Sequence, residues 1–492
     1  MLQDPRISAR MTSDVPHSRS FFFRLCFWAG GPLALCCFFL FAQSVASPLP
    51  PQHPPPSENK TKPTPQSVLP VRSSDIIAGL PDGEMKRKFV VGCTPCHQIA
   101  PPFAMRYDKL GWDTVIKRMH QIDDDLELRL IPFHKGELTA WLLNHVKIPA
   151  HGAPPPLPEA KAAWKEYPIG VHKGFYHDVT ILGGRAWIVD YFGNILYGVD
   201  LKTGAKQAFP VPISAPKGKP AGAHSMDISR DGEIWITFTK TQQVARFDTK
   251  TNTFRVYSGF QKGANVQYFA LDVDRYVYKD PKGRVWVNHF SKEILSRLDP
   301  KTGKIRVFQT PRTQRLPEEG VHLYAVVADS KGRLWYTETH GNRLGMLDPT
   351  TGKAEEWELF VSWSGPKRLA IDPQDRLWIP HLGTGGITVY DTRQRKIIKQ
   401  LSLPIPGDYP YAIRRNRYTG DLWVTGTGSD SLYRLNPANY QFTLYRLPRK
   451  GAYTRTVDFT KDGYIWTCYG SFPNYHTIMP YQSGVIVRLS PQ

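Results

Sequence analysis

Cysteine is scarce: there are six in 492 residues, and Cys26, Cys36 and Cys37 fall within the first 46. The remaining three, Cys93, Cys96 and Cys468, are too few for a disulfide scaffold, so folding must rest on buried apolar area. A hydrophobic content of 41% supplies that area and excludes wholesale disorder. No Gly-rich dinucleotide loop occurs and nothing identifies a flavin or quinone site, which leaves no organic two-electron carrier in view. Basic blocks are also lacking. The formal charge is +20, yet Lys and Arg are spread along the chain and no recognition motif accompanies them, which excludes nucleic acid as a partner. An acidic redox protein or a small-molecule substrate is the expected partner.

What is present begins with an apolar run. Arg10, Arg19 and Arg24 precede "LCFWAGGPLALCCFFLFA", and "QSVAS" follows with small residues at Ser44 and Ala46. Residues 1–46 read as an export signal, which predicts a periplasmic protein. An uncleaved anchor is the alternative, because the 18 residues from Leu25 to Ala42 just span a bilayer and would hold the chain near a membrane. Residues 47–72 carry nine prolines and read as a semi-extended tether.

From 73 to 152 the pattern is helical. "DGEMKRKFVVGCTPCH", with Asp82 as its N-cap, "GWDTVIKRMHQI" and "GELTAWLLNHV" predict three helices around one Cys-x-x-Cys-His. Two thiols one turn apart and an imidazole directly after them suit covalent haem c, with Cys93 and Cys96 as thioether donors and His97 as an iron ligand. Zinc would want a second ligand pair, and a thioredoxin-like pair would want a βαβ context. Met105, Met119, His120 and His134 are the candidates for a sixth iron ligand.

From 166 to 492 a repeat takes over. Its cores are "GGRAWIVDY", "DGEIWITFT", "KGRVWVNHF", "KGRLWYTET", "QDRLWIPHL", "TGDLWVTGT" and "DGYIWTCYG", centred on Trp187, Trp235, Trp286, Trp335, Trp378, Trp423 and Trp466. Seven units with a period of 43 to 51 residues and four short strands each predict a seven-bladed β-propeller, with the tryptophans packed between blades. The expected fold class is thus mainly β, a seven-bladed propeller preceded by a small all-α domain.

Two resemblances sharpen these expectations. The helical segment resembles a class of bacterial c-type cytochrome domains whose Trp-x-x-Val-x-x-x-Met helix supplies the methionine ligand, which implies Met119 through Trp112 and Val115. The sequence departs from that class after Met119, where "HQIDDDLELRL" replaces a Gly-containing turn. Repeats such as "AHSMDISRDGEIWITFT" and "DSKGRLWYTETHGNRLGMLDPTTGK" resemble the virginiamycin B lyase family of seven-bladed propellers. The resemblance implies the fold but not the lyase chemistry, because Tyr453 stands where that family's catalytic histidine falls and Tyr469 near its glutamate. A Glu319, His322 and Glu338 grouping occurs in the fourth repeat at a different spacing.

In a propeller the inner strands line a channel, which puts His177, His224, His322, Lys367, Tyr411, Tyr453 and Arg455 at its mouth, with Asp190, His289, Glu338 and His381 at second-strand ends. His224, His289, His322, Glu338 and His381 are the expected catalytic group, able to shuttle protons or bind an additional metal ion; a polar, water-filled channel is the alternative. The functional expectation is an exported haem protein in electron transfer or oxidoreduction. A metal-dependent lyase and a non-catalytic docking propeller are the alternatives.

Overall fold

The computed structural model describes residues 71–492 except 105–106, 126–129, 135, 150–156, 170–174, 216–218, 264, 312–321 and 471–483. The expected export signal, nearly all of the tether, Met105 and Glu319 lie outside the described residues. Among the described residues no helix is long and apolar enough to cross a membrane.

Residues 73–145 hold five helices: α1 (Ser73–Ala78), α2 (Glu84–Cys93), α3 (Ala100–Ala104), α4 (Lys109–Asp125) and α5 (Glu137–His145). The three predicted helices are α2, α4 and α5; α1 and α3 are too short to show a period. Asp82 is not the cap of α2. Gly83 takes that place at φ 148°, and the Asp82 carboxylate pairs with Lys86 at 3.0 Å. The apolar face of α2 packs Phe89 against Phe103 of α3 and Trp141 of α5, with ring centroids 6.1 and 5.7 Å apart. Thr139 of α5 donates to the Asp113 carboxylate of α4 at 2.6 Å. The departure after Met119 has a physical role: Asp123 accepts from the backbone N–H groups of Leu130 (2.8 Å) and Ile131 (3.1 Å), gathering the returning chain where a glycine turn was expected.

The rest is mainly β. Among the described residues 28 strands form five four-stranded sheets and one eight-stranded sheet, the latter being two four-stranded units joined by a parallel contact. Seven antiparallel units result, blades 1 to 7, at residues 176–210, 223–257, 266–309, 323–357, 370–402, 410–446 and 458–491. The strand Ala162–Pro168, which begins four residues before the expected boundary, pairs with Val485–Pro491 as the outer edge of blade 7. Pairing an early strand with the last one ties the two ends of the β region together.

Every repeat tryptophan is buried, with exposures of 0 to 2%. Each sits at a seam: Trp187 packs with Met226 and Ile236 of blade 2, Trp286 with Val326 of blade 4, and Trp466 with Val179 of blade 1. Burying one such ring contributes about 2–3 kcal/mol, which explains why the period is carried by this residue. In blades 4 and 5 the turn before the tryptophan is locked by an aspartate that the repeat pattern alone did not disclose. Asp329 accepts from Arg333 Nε (2.7 Å) and Trp335 Nε1 (2.9 Å), and Asp372 does the same for Arg376 and Trp378. An Asp-x-x-x-Arg-x-Trp spacing thus ties a tight turn to the seam it feeds.

Candidate functional site

Cys93 ends α2, and Cys96 and His97 follow in the turn that leads to α3. All three line one cleft of about 860 Å³, and so does Met119 of α4. Its other walls are mainly apolar, with Phe89, Phe103, Trp112, Ile116, Leu138 and Leu142, and include the Asp123 carboxylate. His120 and His134 do not line it. The His97 ring pairs through Nδ1 with the Gln98 carbonyl at 2.7 Å, which puts the proton on Nδ1 and the lone pair on Nε2. Burial lowers the His97 pKa to about 4 and raises that of Cys96 to about 11, with Cys93 higher still, so a neutral imidazole and two thiols face the cleft.

The Cys-x-x-Cys-His turn sits on the inner strands of the propeller. Tyr453 donates its hydroxyl to the Thr94 carbonyl, and Arg455 donates to the carbonyls of Cys96 (2.6 Å), Pro95 (3.4 Å) and Gly470. Gln98 donates to Thr427 O and, at 3.1 Å, to the Asp430 carboxylate. Ser74 of α1 donates its N–H to Gly428 O at 2.9 Å. Gly407 makes the close approach of α1 possible: at φ +72°, a Cβ there would stand 2.2 Å from Ser74 O. Tyr453, which the resemblance led us to expect at the position of that family's histidine, thus helps to seat the helical segment.

Beneath that turn lies a second cavity, of about 610 Å³, which shares Pro95, Cys96 and Leu130 with the first. Its polar lining comes from the axis: His177, His224, Gln267, Tyr324 and Tyr411 are each the second residue of an innermost strand, and Lys367 and Arg455 join them. Alternation along an inner strand sends that residue into the channel. The hydroxyls of Tyr268 and Tyr324 lie 3.2 Å apart, Tyr324 bonds Tyr411, and Tyr411 stands 3.4 Å from His177 Nε2. Asp178, beside the cavity, is engaged by Arg368 at 2.5 and 3.0 Å and by His177 at 3.1 Å. Burial lowers His177 to about 4 and Lys367 to about 7, and holds Tyr324 well above its ordinary value.

The five residues expected to act together are dispersed. Only His224 lines this cavity. His289 and His381 are buried, not exposed at strand ends. Second-strand side chains project onto blade faces, where these two bond Ser296 at 2.7 Å and Thr388 at 2.9 Å inside their own blades. His322 precedes the inner strand Leu323–Ala328, pairs with His340 at 2.8 Å and stacks on Phe290. Tyr324 takes the channel register that His322 was expected to hold. Glu338 faces Glu356 inside blade 4, where burial and the second carboxyl raise its pKa far above the carboxylate range. Among the described residues no group of three His, Cys, Asp or Glu side chains is placed to hold a metal ion. Gln267 and Tyr324 were missed; counting the second position of every inner strand would have found both.

Comparison with known proteins agrees with this architecture. No curated protein matches the chain. Virginiamycin B lyase from Staphylococcus aureus, in its selenomethionine form, superposes with a TM-score of 0.55 at 22% identity, covering 68% of this chain and all of that one. A catalytically inactive variant from the same organism with quinupristin gives 0.56 at 21% identity over 68% of this chain and all of that one. A streptogramin B lyase gives 0.56 at 20% over 67% of this chain and 98% of that one. These likenesses establish the propeller fold. The profile of the virginiamycin B lyase family matches residues 207–387 and 313–471, together more than half of the sequence, and the chain belongs to that family.

Proposed function

We propose that the protein is an exported c-type haem protein of electron transfer or oxidoreduction, a small cytochrome-like segment seated on a seven-bladed, lyase-like propeller. The observation that carries this reading is the convergence of Cys93, Cys96, His97 and Met119 on one mainly apolar cleft. The residues fit the group. Two thiols can form the thioethers, the Nε2 lone pair of His97 and the Met119 sulfur are suitable iron ligands, and the aromatic walls exclude water from a macrocycle. Haem bound there would supply reversible one-electron chemistry. The Gln98 carbonyl would fix the His97 ring, and Asp123 would hold the chain segment that closes the cleft.

Electron counting shapes the rest. A single haem takes one electron at a time, so the reading calls for a redox partner protein or a substrate oxidised in single steps. The lyase alternative is less well supported, because Tyr453 is committed to Thr94 and the histidines of the expected catalytic group do not meet. The test is expression of the full chain with c-type maturation enzymes, followed by haem staining of denatured protein. One covalent haem is expected, lost in Cys93→Ala/Cys96→Ala; undiminished stain in that variant removes the reading.

A further inference from the structure

The cavity beneath the Cys-x-x-Cys-His turn carries more unsatisfied polar chemistry than a channel plug requires. Lys367 is wholly buried and its Nζ has no hydrogen-bond partner. His224 Nδ1, Gln267 Oε1 and Arg455 Nε are likewise buried and unpartnered, and all four residues line this one cavity. No carboxylate lines it among the described residues, and Asp178, which follows the lining residue His177, is taken by Arg368 and His177. Lys367 Nζ lies 4.0 Å from the centroid of the Tyr324 ring, and the Arg455 guanidinium 4.1 Å from that of Tyr453. A ring face returns only part of the hydration that a buried ammonium gives up. Arg455 spends its remaining donors on neutral carbonyls, so neither positive charge is compensated.

We propose that this cavity is a binding site for a small organic carboxylate, with the Lys367 ammonium as its charge partner and Arg455 and His224 as further polar contacts. An organic body is indicated by the aromatic walls, Phe175, Tyr191, Phe290, Tyr324 and Tyr411, which a bare inorganic ion would leave without contact. The anion meant is a free carboxylate and not part of a haem, since Lys367 and Arg455 line the propeller-side cavity and neither lines the cleft that would hold the haem. That a bound carboxylate would exchange electrons with the haem rests on the electron-transfer reading. That the cavity takes a carboxylate rests on the propeller's own residues.

The test is calorimetric titration of the full-length holoprotein with benzoate, its neutral isostere benzamide, and nitrate, all at about pH 6, where Lys367 is an ammonium. Benzoate is expected to bind at least about tenfold more tightly than either control, and Lys367→Met to remove that preference while haem content stays unchanged. Thermal melting gives the second readout. Without ligand, Lys367→Met should melt no lower than the parent, because an uncompensated buried charge is removed, and benzoate should stabilise the parent alone. Equal affinity for benzoate and benzamide, preference for nitrate, no binding of benzoate, or retention of the preference in Lys367→Met would each overturn the proposal. If Lys367→Met melts lower and still binds benzoate, the lysine serves only to brace Tyr324. Protein prepared without haem that still selects benzoate would separate the carboxylate site from the electron-transfer reading.

Discussion

On one side of Cys96 lies a cleft walled by Phe89, Phe103, Trp112 and Leu142; on the other lies a cavity of comparable size lined by Lys367, Arg455, His177 and His224. The first offers four chemistry-bearing side chains in a mainly apolar surround, which suits a large flat apolar group fixed at a few points; its Asp123 carboxylate is held by the backbone N–H groups of Leu130 and Ile131. The second offers buried cations and unpartnered polar atoms, which suits something small and negative. The first belongs to the helical segment alone. The second exists only while that segment is seated on the inner strands, since Pro95, Cys96 and Leu130 complete it.

That contrast can be broken most severely at the seat. In Gly407→Val a Cβ would meet Ser74 O at 2.2 Å and Ala78 N at 2.4 Å on a backbone already at φ +72°, so α1 should be expelled from its groove. Limited proteolysis of the full chain should then cut between the helices and the propeller while covalent haem persists and the benzoate preference disappears; unchanged protease resistance would show that docking does not depend on this contact. Next in size is Arg455→Met, which removes charge-assisted bonds to the Cys96 and Gly470 carbonyls and should lower stability in urea by about 3 kcal/mol. A smaller but more specific change is expected from Met119→Ala. Its covalent haem should remain, stability should fall by about 1–2 kcal/mol, and the thioether-to-iron band at the red edge of the oxidised spectrum should vanish. Persistence of that band would pass the ligand role to another residue.

Glu338→Gln sets the small end of the series and probes the blade interior instead of either cavity. The folded protein holds the Glu338 proton well above the pH at which an unfolded chain releases it, so the native state binds more protons and stability falls as pH rises above the ordinary carboxylate range. The glutamine variant is free of that loss. Its melting temperature should exceed the parent's by a few degrees near pH 8, with the gap closing toward pH 5; a constant gap would mean that Glu338 is ionised in the fold.

Much of the propeller was legible because its signal is redundant. Seven tryptophans at a steady period mark seven seams, and each seam buries one of them. The cleft was legible for a different reason: Cys93, Cys96 and His97 are adjacent in sequence, and Met119 lies on a regular helix. The channel was read only in part. Its residues are contributed singly by separate blades, and their direction depends on a one-residue register that turn lengths obscure. His322 illustrates the failure: one position before its strand, it pairs with His340 while Tyr324 faces the axis. His289 and His381 show the other limit, since a strand end located correctly by pattern still leaves open which face of the blade the side chain joins.

Whether the cleft at Cys93 and Cys96 holds haem decides between an electron-transfer protein and a propeller of another kind. Intact-mass measurement of the full chain, produced with c-type maturation enzymes and denatured before analysis, asks this most directly. The predicted result is a mass increased by one haem, with proteolytic fragments placing the addition on the peptide that contains Cys93 and Cys96. A mass equal to that of the polypeptide alone, in a host that matures a control cytochrome, would contradict it.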